Sequence, residues 1–219
     1  MRILFIRHGQ TPANVLGALD TAHPGPGLTD LGHRQAQAIP EALADEEIEG
    51  LFVSTLIRTQ LTAAPLAHHR NLDARVTDGL HEIGAGALEG FSDQRSQLTY
   101  LDTVFSWAAG DLSRPMPGGP DGHEFFGRFD SAVEFAAGEH EGAVAIVSHG
   151  AAIRTWAGAR ASNVDVDYAA THPLSNTGIV LVSGSFTDGW IVEEWDGDPV
   201  GGRELLDVAA DDPTGEAIG

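Results

Sequence analysis

Cysteine and lysine are both absent from the 219 residues. Without cysteine there is no disulfide, no thiolate nucleophile and no cysteine-based zinc site. Without lysine, all 12 basic residues are arginine, set against 32 acidic ones, and the formal net charge is -20. Lysine loss alongside abundant Ala and Gly fits codon usage in a GC-rich genome, with adaptation to high salt as a second reading. Either way, so acidic a surface repels nucleic acid and anionic membranes, and neither is expected as a partner. Also missing are an apolar run long enough to cross a bilayer and a leader-like N-terminus. The opening Met-Arg-Ile-Leu-Phe-Ile is too short for a signal core. A cytoplasmic location is therefore expected.

What is present is ordinary globular material. Hydrophobic residues make up 42% of the chain, and the length suits one large α/β domain with a full core. Apolar runs predict strands at 3–6, 51–53 and 143–147, with a shorter strand-like run at 74–77. A hairpin is predicted at 179–182 and 190–192, turned by Thr187-Asp188-Gly189. Helical spacing predicts a helix at 30–44, N-capped by Thr29 and kinked or shortened by Pro40. Further helices are expected at 56–68, where Pro65 argues against continuity, around Phe125–Ala136, and after Gly150. Strands alternating with helices imply an α/β fold: a largely parallel sheet covered on both faces, with the last hairpin antiparallel at one edge. Residues 1–195 are expected to form a single domain. Within it, the Gly-, Pro- and polar-rich stretch 85–123, weakly helical at 98–108, is expected to pack over the site as a cap. Residues 196–219 read as an acidic tail, laid on the surface or mobile.

Two segments share one design. An apolar run ends in Arg7-His8-Gly9, and another ends in Ser148-His149-Gly150. Each puts a His at the carboxyl end of a buried strand, where open α/β sheets bind ligands, and follows it with a Gly that lets the backbone turn sharply. The strand at 51–53 leads to Arg58, at the positive end of a helix where a cation is normally disfavoured, and a bound anion would explain it. Arg7, at the mouth of a central strand, is expected to be buried and so to need an anionic partner. Together Arg7 and Arg58 could grip a phosphoryl group. Glu82, between apolar neighbours, supplies a candidate carboxylate. These residue types suit phosphoryl transfer. An imidazole held through one nitrogen attacks phosphorus with the other, guanidiniums stabilise the oxygens, and a carboxyl group gives a proton to the leaving alcohol.

The blocks Arg7-His8-Gly9-Gln10-Thr11 with Asn14, and Leu28-Thr29-Asp30-Leu31-Gly32, resemble the histidine phosphatase (phosphoglycerate mutase-like) superfamily. So do Ser54 through Thr59, Leu80-His81-Glu82-Ile83, Ser148-His149-Gly150 and Ser175-Asn176-Thr177, all in the expected order. The resemblance implies a three-layer α/β/α sandwich. It implies His8 as the phosphorylated residue, with Arg7, Arg58 and His149 around the phosphate and Glu82 as proton donor. Asn14 and the Gly150 backbone would help to bind the substrate. It implies neither metal nor organic cofactor, a small phosphorylated substrate or inorganic phosphate as the partner, and, as relatives are often dimers, a homodimer as one expected state. Two stretches depart from the pattern: Gly118-Gly119-Pro120-Asp121 lacks a carboxylate seen in many relatives, and Pro24-Gly25-Pro26-Gly27 lengthens a loop.

Four readings compete. A phosphomonoester hydrolase is favoured over a phosphoglycerate mutase because residues 83–90 contain no Arg, Lys or Tyr to hold a substrate carboxylate. A domain that only binds phospho-ligands is disfavoured because all five expected catalytic side chains are present. A metal hydrolase built on His8, His149 and Glu82 is disfavoured because two arginines beside them would repel a divalent cation.

Overall fold

A computed structural model describes residues 1–217; Ile218 and Gly219, the last two residues of the acidic tail, lie outside the described residues. Six strands form one sheet in the order β3-β2-β4-β1-β5-β6. They are β1 (Arg2–Arg7), β2 (Ile48–Val53), β3 (Ala74–Val76), β4 (Ala143–Ser148), β5 (Ile179–Ser185) and β6 (Gly189–Asp196). The first four are mutually parallel. β5 and β6 run antiparallel, as the hairpin pattern predicts. The helices are α1 (Pro12–Val15), α2 (Asp30–Ala42), α3 (Ile57–Arg70), α4 (Gln94–Ala108), α5 (Gly122–Gly138), α6 (Gly150–Arg160) and α7 (Val166–Thr171).

The continuous apolar strands are what make three layers. In β1, Ile3 and Phe5 point to one face and Leu4 and Ile6 to the other, and all four are buried. Ile3 and Phe5 pack with Phe52 of β2, Ile146 of β4, Phe125 and Phe129 of α5 and Trp156 of α6. Leu4 and Ile6 pack with Val53, Val147, Ile39 of α2 and Leu66 of α3. The two cores therefore use alternate residues of the same strands. None of the described helices is long and apolar enough to cross a membrane.

Helix limits show local chemistry and tertiary packing at work. Thr29 caps α2 by accepting from the Gly32 amide at 3.0 Å, and the helix stops two residues after Pro40. α3, by contrast, runs through Pro65 to Arg70. Its buried stripe of Arg58, Thr59, Thr62, Ala63 and Leu66 holds it against the sheet, so packing overrides one missing hydrogen bond. Asp121, in the stretch that departs from the family pattern, caps α5 by accepting from the Glu124 amide.

The stretch expected to pack over the site as a cap builds part of the core, and none of its residues lines the His8 cavity. It forms α4, capped by Asp93, and its Tyr100, Leu101, Val104, Phe105 and Trp107 belong to the larger cluster. The segment after β6 likewise differs from a mobile or surface-laid tail. Val200, Asp212, Pro213 and Gly215 are buried, and the segment returns to the carboxyl edge of the sheet.

Candidate active site

Parallel pairing of β1 with β4 sets Arg7 opposite Ser148. The next residue of each strand is therefore a histidine at the same edge. Their rings meet edge to face with centroids 5.2 Å apart, and both are buried. The His8 amide donates to Ser148 O at 3.0 Å, and Asn176 Nδ2 donates to His8 O at 3.1 Å, so the backbone here is fixed. His8 Nδ1 lies 2.8 Å from Gly9 O. A carbonyl only accepts, so Nδ1 carries the hydrogen and Nε2 keeps its lone pair. Burial first, then the charges of Arg58 and Arg7, push the His8 pKa well below the usual imidazole value, so the ring is neutral. His149 Nε2 is held by Ser54 Oγ at 2.7 Å, while its Nδ1 is buried without a protein partner. Burial, then Arg58, lowers its pKa in the same way.

Two glycines make this turn possible. A Cβ on Gly32 would overlap Gln10 O, and one on Gly9 would lie 2.8 Å from Gly32 O. The Arg-His-Gly turn and the start of α2 are thus in backbone contact, which is why glycine stands at both positions.

Arg58, second residue of α3, is 3% exposed. Its Nη2 donates to Asp20 O at 2.9 Å, whereas Nη1 is buried, has no hydrogen-bond partner and lies 3.9 Å from Asp20 Oδ1. Burial lowers its pKa, against the pull of Asp20 and Glu82. Arg58, His8, Thr11, Asn14, Asp20, Glu82 and Thr214 line one small cavity of about 20 Å³. Asn14 sits there because α1 is held by a capping box, the Asn14 side chain and Thr11 bonding reciprocally.

Arg7 is fully buried, as expected, but its partner belongs to the chain itself. Nη2 pairs with the Asp212 carboxylate at 2.6 and 2.7 Å and donates to Thr214 Oγ1 at 2.9 Å, and Nη1 donates to Leu174 O at 2.8 Å. Its Nε has no partner. A Cβ on Gly150, first residue of α6, would come within 2.9 Å of that Nε.

Glu82 is 2% exposed and faces the start of α6. Its Oε1 accepts from the amides of Ile83 and Ala152 at 2.9 Å, and Oε2 from Ala151 at 3.2 Å. Burial raises its pKa and outweighs these donors and Arg58, which pull it down. The segment carrying it is clamped through its carbonyls. Arg128 donates to Gly79, His81 and Glu82, Ser148 Oγ to Leu80, and the Tyr100 hydroxyl to Ile83, at 2.6 to 2.9 Å. Five successive carbonyls thus find side-chain donors, the condition for burying an irregular loop.

The structure therefore brings His8, Asn14, Arg58 and Glu82 to one cavity with His149 beside His8, and turns Arg7 toward Asp212. Sequence reasoning missed Ser54, Asp20, Tyr100, Arg128 and the whole of residues 211–216. Ser54 opens a recognised block and was within reach, but the others act across long sequence separations.

Comparison with known proteins identifies the family. The family described as the histidine phosphatase superfamily (branch 1) matches residues 3–197. The PE-PGRS family protein PE_PGRS11 of Mycobacterium tuberculosis is 40% identical over 218 residues, covering 92% of this chain and 37% of that protein. The chain thus spans little more than a third of that relative's length. Phosphoserine phosphatase 1 of Hydrogenobacter thermophilus is 25% identical over 150 residues, 68% of this chain and 71% of that one. Among solved structures, a mycobacterial glucosyl-3-phosphoglycerate phosphatase in complex with VO3 superimposes with a TM-score of 0.74 at 23% identity. That match covers 90% of this chain and 99% of the other, a likeness of fold. With a family match over almost the entire sheet and its helices, the chain belongs to the histidine phosphatase superfamily, branch 1.

Proposed function

We propose that this protein is a phosphomonoester hydrolase that works through a phosphohistidine intermediate on a small phosphorylated metabolite. One observation carries the reading. A neutral His8 with Nδ1 tied to Gly9 O and Nε2 free shares a cavity with Arg58, whose Nη1 has no hydrogen-bond partner, and stands beside His149, whose Nδ1 has none either. A nucleophile and donors for phosphoryl oxygens are thus preorganised together.

In the proposed reaction, Nε2 of His8 forms an N–P bond as the P–O bond to the leaving alcohol breaks. Arg58 and His149 donate to the equatorial oxygens, with Ser54 Oγ–H bonded to Nε2 of His149 so that Nδ1 carries the hydrogen. Glu82, protonated, gives its proton to the departing oxygen. Water then attacks phosphorus and passes a proton to the Glu82 carboxylate, and the N–P bond breaks. Inorganic phosphate leaves and His8 is again neutral. Water is favoured over a second substrate hydroxyl because residues 83–90 offer no cation or phenol to hold a phosphoglycerate carboxylate. A phosphoserine phosphatase among the relatives supports a small polar phosphoester as the substrate class.

The chemistry asks nothing of a metal, and guanidiniums beside the imidazoles disfavour a divalent cation. Hydrolysis of p-nitrophenyl phosphate should therefore continue unchanged in EDTA, followed as released nitrophenolate. Loss of turnover on chelation, restored by a divalent metal, would contradict the scheme. A screen of phosphorylated metabolites for released phosphate then identifies the substrate.

A further inference from the structure

The anion that Arg7 holds is not a substrate but a side chain 205 residues further along the chain. After β6 the backbone turns along α2, where Gln35 Nε2 donates to Leu205 O at 2.9 Å, and Gln10, just past the Arg-His-Gly turn, donates Nε2 to Asp207 Oδ2 at 2.9 Å. Residues 212–216 then enter the site. Asp212 takes Arg7 Nη2 on both oxygens and also accepts from Asn14 Nδ2 at 3.1 Å. Arg154, fully buried on α6, donates Nη1 to Thr214 O at 3.0 Å and to Glu216 O at 2.8 Å. The Leu174 amide donates to Gly215 O at 2.8 Å. The fit is close: a Cβ on Gly215 would overlap Arg7 Nη1 and lie 2.8 Å from the Leu174 carbonyl oxygen. Thr214 forms part of the wall of the His8 cavity.

This is a built site for an acidic peptide, filled by the chain's own Asp-Pro-Thr-Gly-Glu. The segment that fills it lies beyond residue 197, where the family match ends. With the segment seated, the cavity at His8 is about 20 Å³, on the order of a single water. A phosphoryl dianion brought to Asn14 and Arg7 would also meet the Asp212 carboxylate at contact distance, with like charges opposed.

We propose that residues 211–216 compete within the chain with the phosphoryl group: Asp212 occupies Arg7 and Asn14, and an anionic ligand enters only as the segment lifts off. This deepens the proposed phosphatase reading, since it makes that site self-inhibited. Orthovanadate and inorganic phosphate are suitable probes. Asp212→Asn keeps the shape of the side chain and removes its charge, and a chain ending at Ala210 removes the segment. Both should bind orthovanadate about tenfold tighter or more, since a charge-assisted contact no longer has to be broken. Both should lower KM for p-nitrophenyl phosphate by a similar factor. In the unaltered protein, orthovanadate should speed hydrogen exchange at the amides of Leu174 and Gly215, which the seated segment protects.

Unchanged or weaker vanadate binding by the Asn variant overturns the proposal, whether or not the shortened chain folds. So does tighter binding without faster exchange, which would mean simple charge repulsion from a fixed wall. If no form hydrolyses any ester yet orthovanadate still frees the segment, the competition stands and the phosphatase reading fails. If hydrolysis is brisk and equal in all forms, with exchange unmoved, the phosphatase reading stands and the competition fails.

Discussion

His8→Ala should lower turnover of any phosphomonoester by on the order of 10⁶-fold, the scale on which an enzyme fails when its attacking residue is removed. That corresponds to about 8 kcal/mol of barrier. Among the described residues no other group is placed to substitute. His149, beside His8, has Nε2 engaged by Ser54, the Thr11 hydroxyl faces the amide oxygen of Asn14, and the carboxylate next to the Thr214 hydroxyl, Asp212, is taken up by Arg7. Binding should survive, because Arg58, Asn14 and His149 remain. Inorganic phosphate should therefore still bind the variant, measured by calorimetry, while steady-state hydrolysis falls to background. Residual activity within about a hundredfold of the parent would place the attack elsewhere.

Glu82→Gln should cut kcat by about 10²- to 10⁴-fold for alkyl phosphates, whose leaving alcohol must be protonated. With p-nitrophenyl phosphate the first step needs little protonation, so a burst of nitrophenolate should precede slow turnover. The proton balance follows from burial. Burial raises the Glu82 pKa above the usual carboxyl value, so in the unaltered enzyme activity on the alkaline side falls as pH rises through that raised value. On the acid side it falls only where His8 becomes protonated, well below the ordinary imidazole range. The Gln variant should lose the alkaline limb and keep the acid one. The same shift bears on stability. A carboxyl whose native pKa is raised binds its proton more tightly when folded. Its contribution is full below the unfolded pKa and is lost as pH rises through the folded one. Gln also offers an NH₂ where Glu82 accepts backbone amides, at a cost of about 1–3 kcal/mol. Rates should therefore be compared below the melting transition of the variant. An alkaline limb that persists in Glu82→Gln would assign the acid to another group.

How much of this was legible depended on the range of the interaction. The paired strand ends were readable because each needs only its own apolar run followed by His-Gly, and parallel pairing of neighbouring strands then brings His8 to His149. The burial of Arg7 followed from its place after Ile6, and its need for an anionic partner followed from burial. The identity of that partner did not. Asp212 is separated from Arg7 by nearly the whole chain, and the stretch around it holds too little apolar material to signal packing. Hydrogen bonding by two buried arginines, Arg7 and Arg154, docks it instead, and a guanidinium leaves no periodicity in sequence. α4 reads as weakly helical because polar residues such as Gln97 and Thr103 interrupt its apolar pattern, yet both are buried. The short helix α1 could have been found from Thr11 and Asn14, which cap each other, with Pro12 at the first position. The positioning of Glu82 by Arg128 and Tyr100 depends on carbonyls, which every residue has, so no side-chain pattern could announce it.

The covalent step is best tested by stopping the Glu82→Gln reaction with alkali during the burst and mapping the phosphoryl group by mass spectrometry. A single acid-labile phosphoryl on the peptide containing His8, absent from His8→Ala, is the predicted result. A phosphorylated hydroxyl residue, or a burst with no phosphoryl retained on the protein, would contradict it.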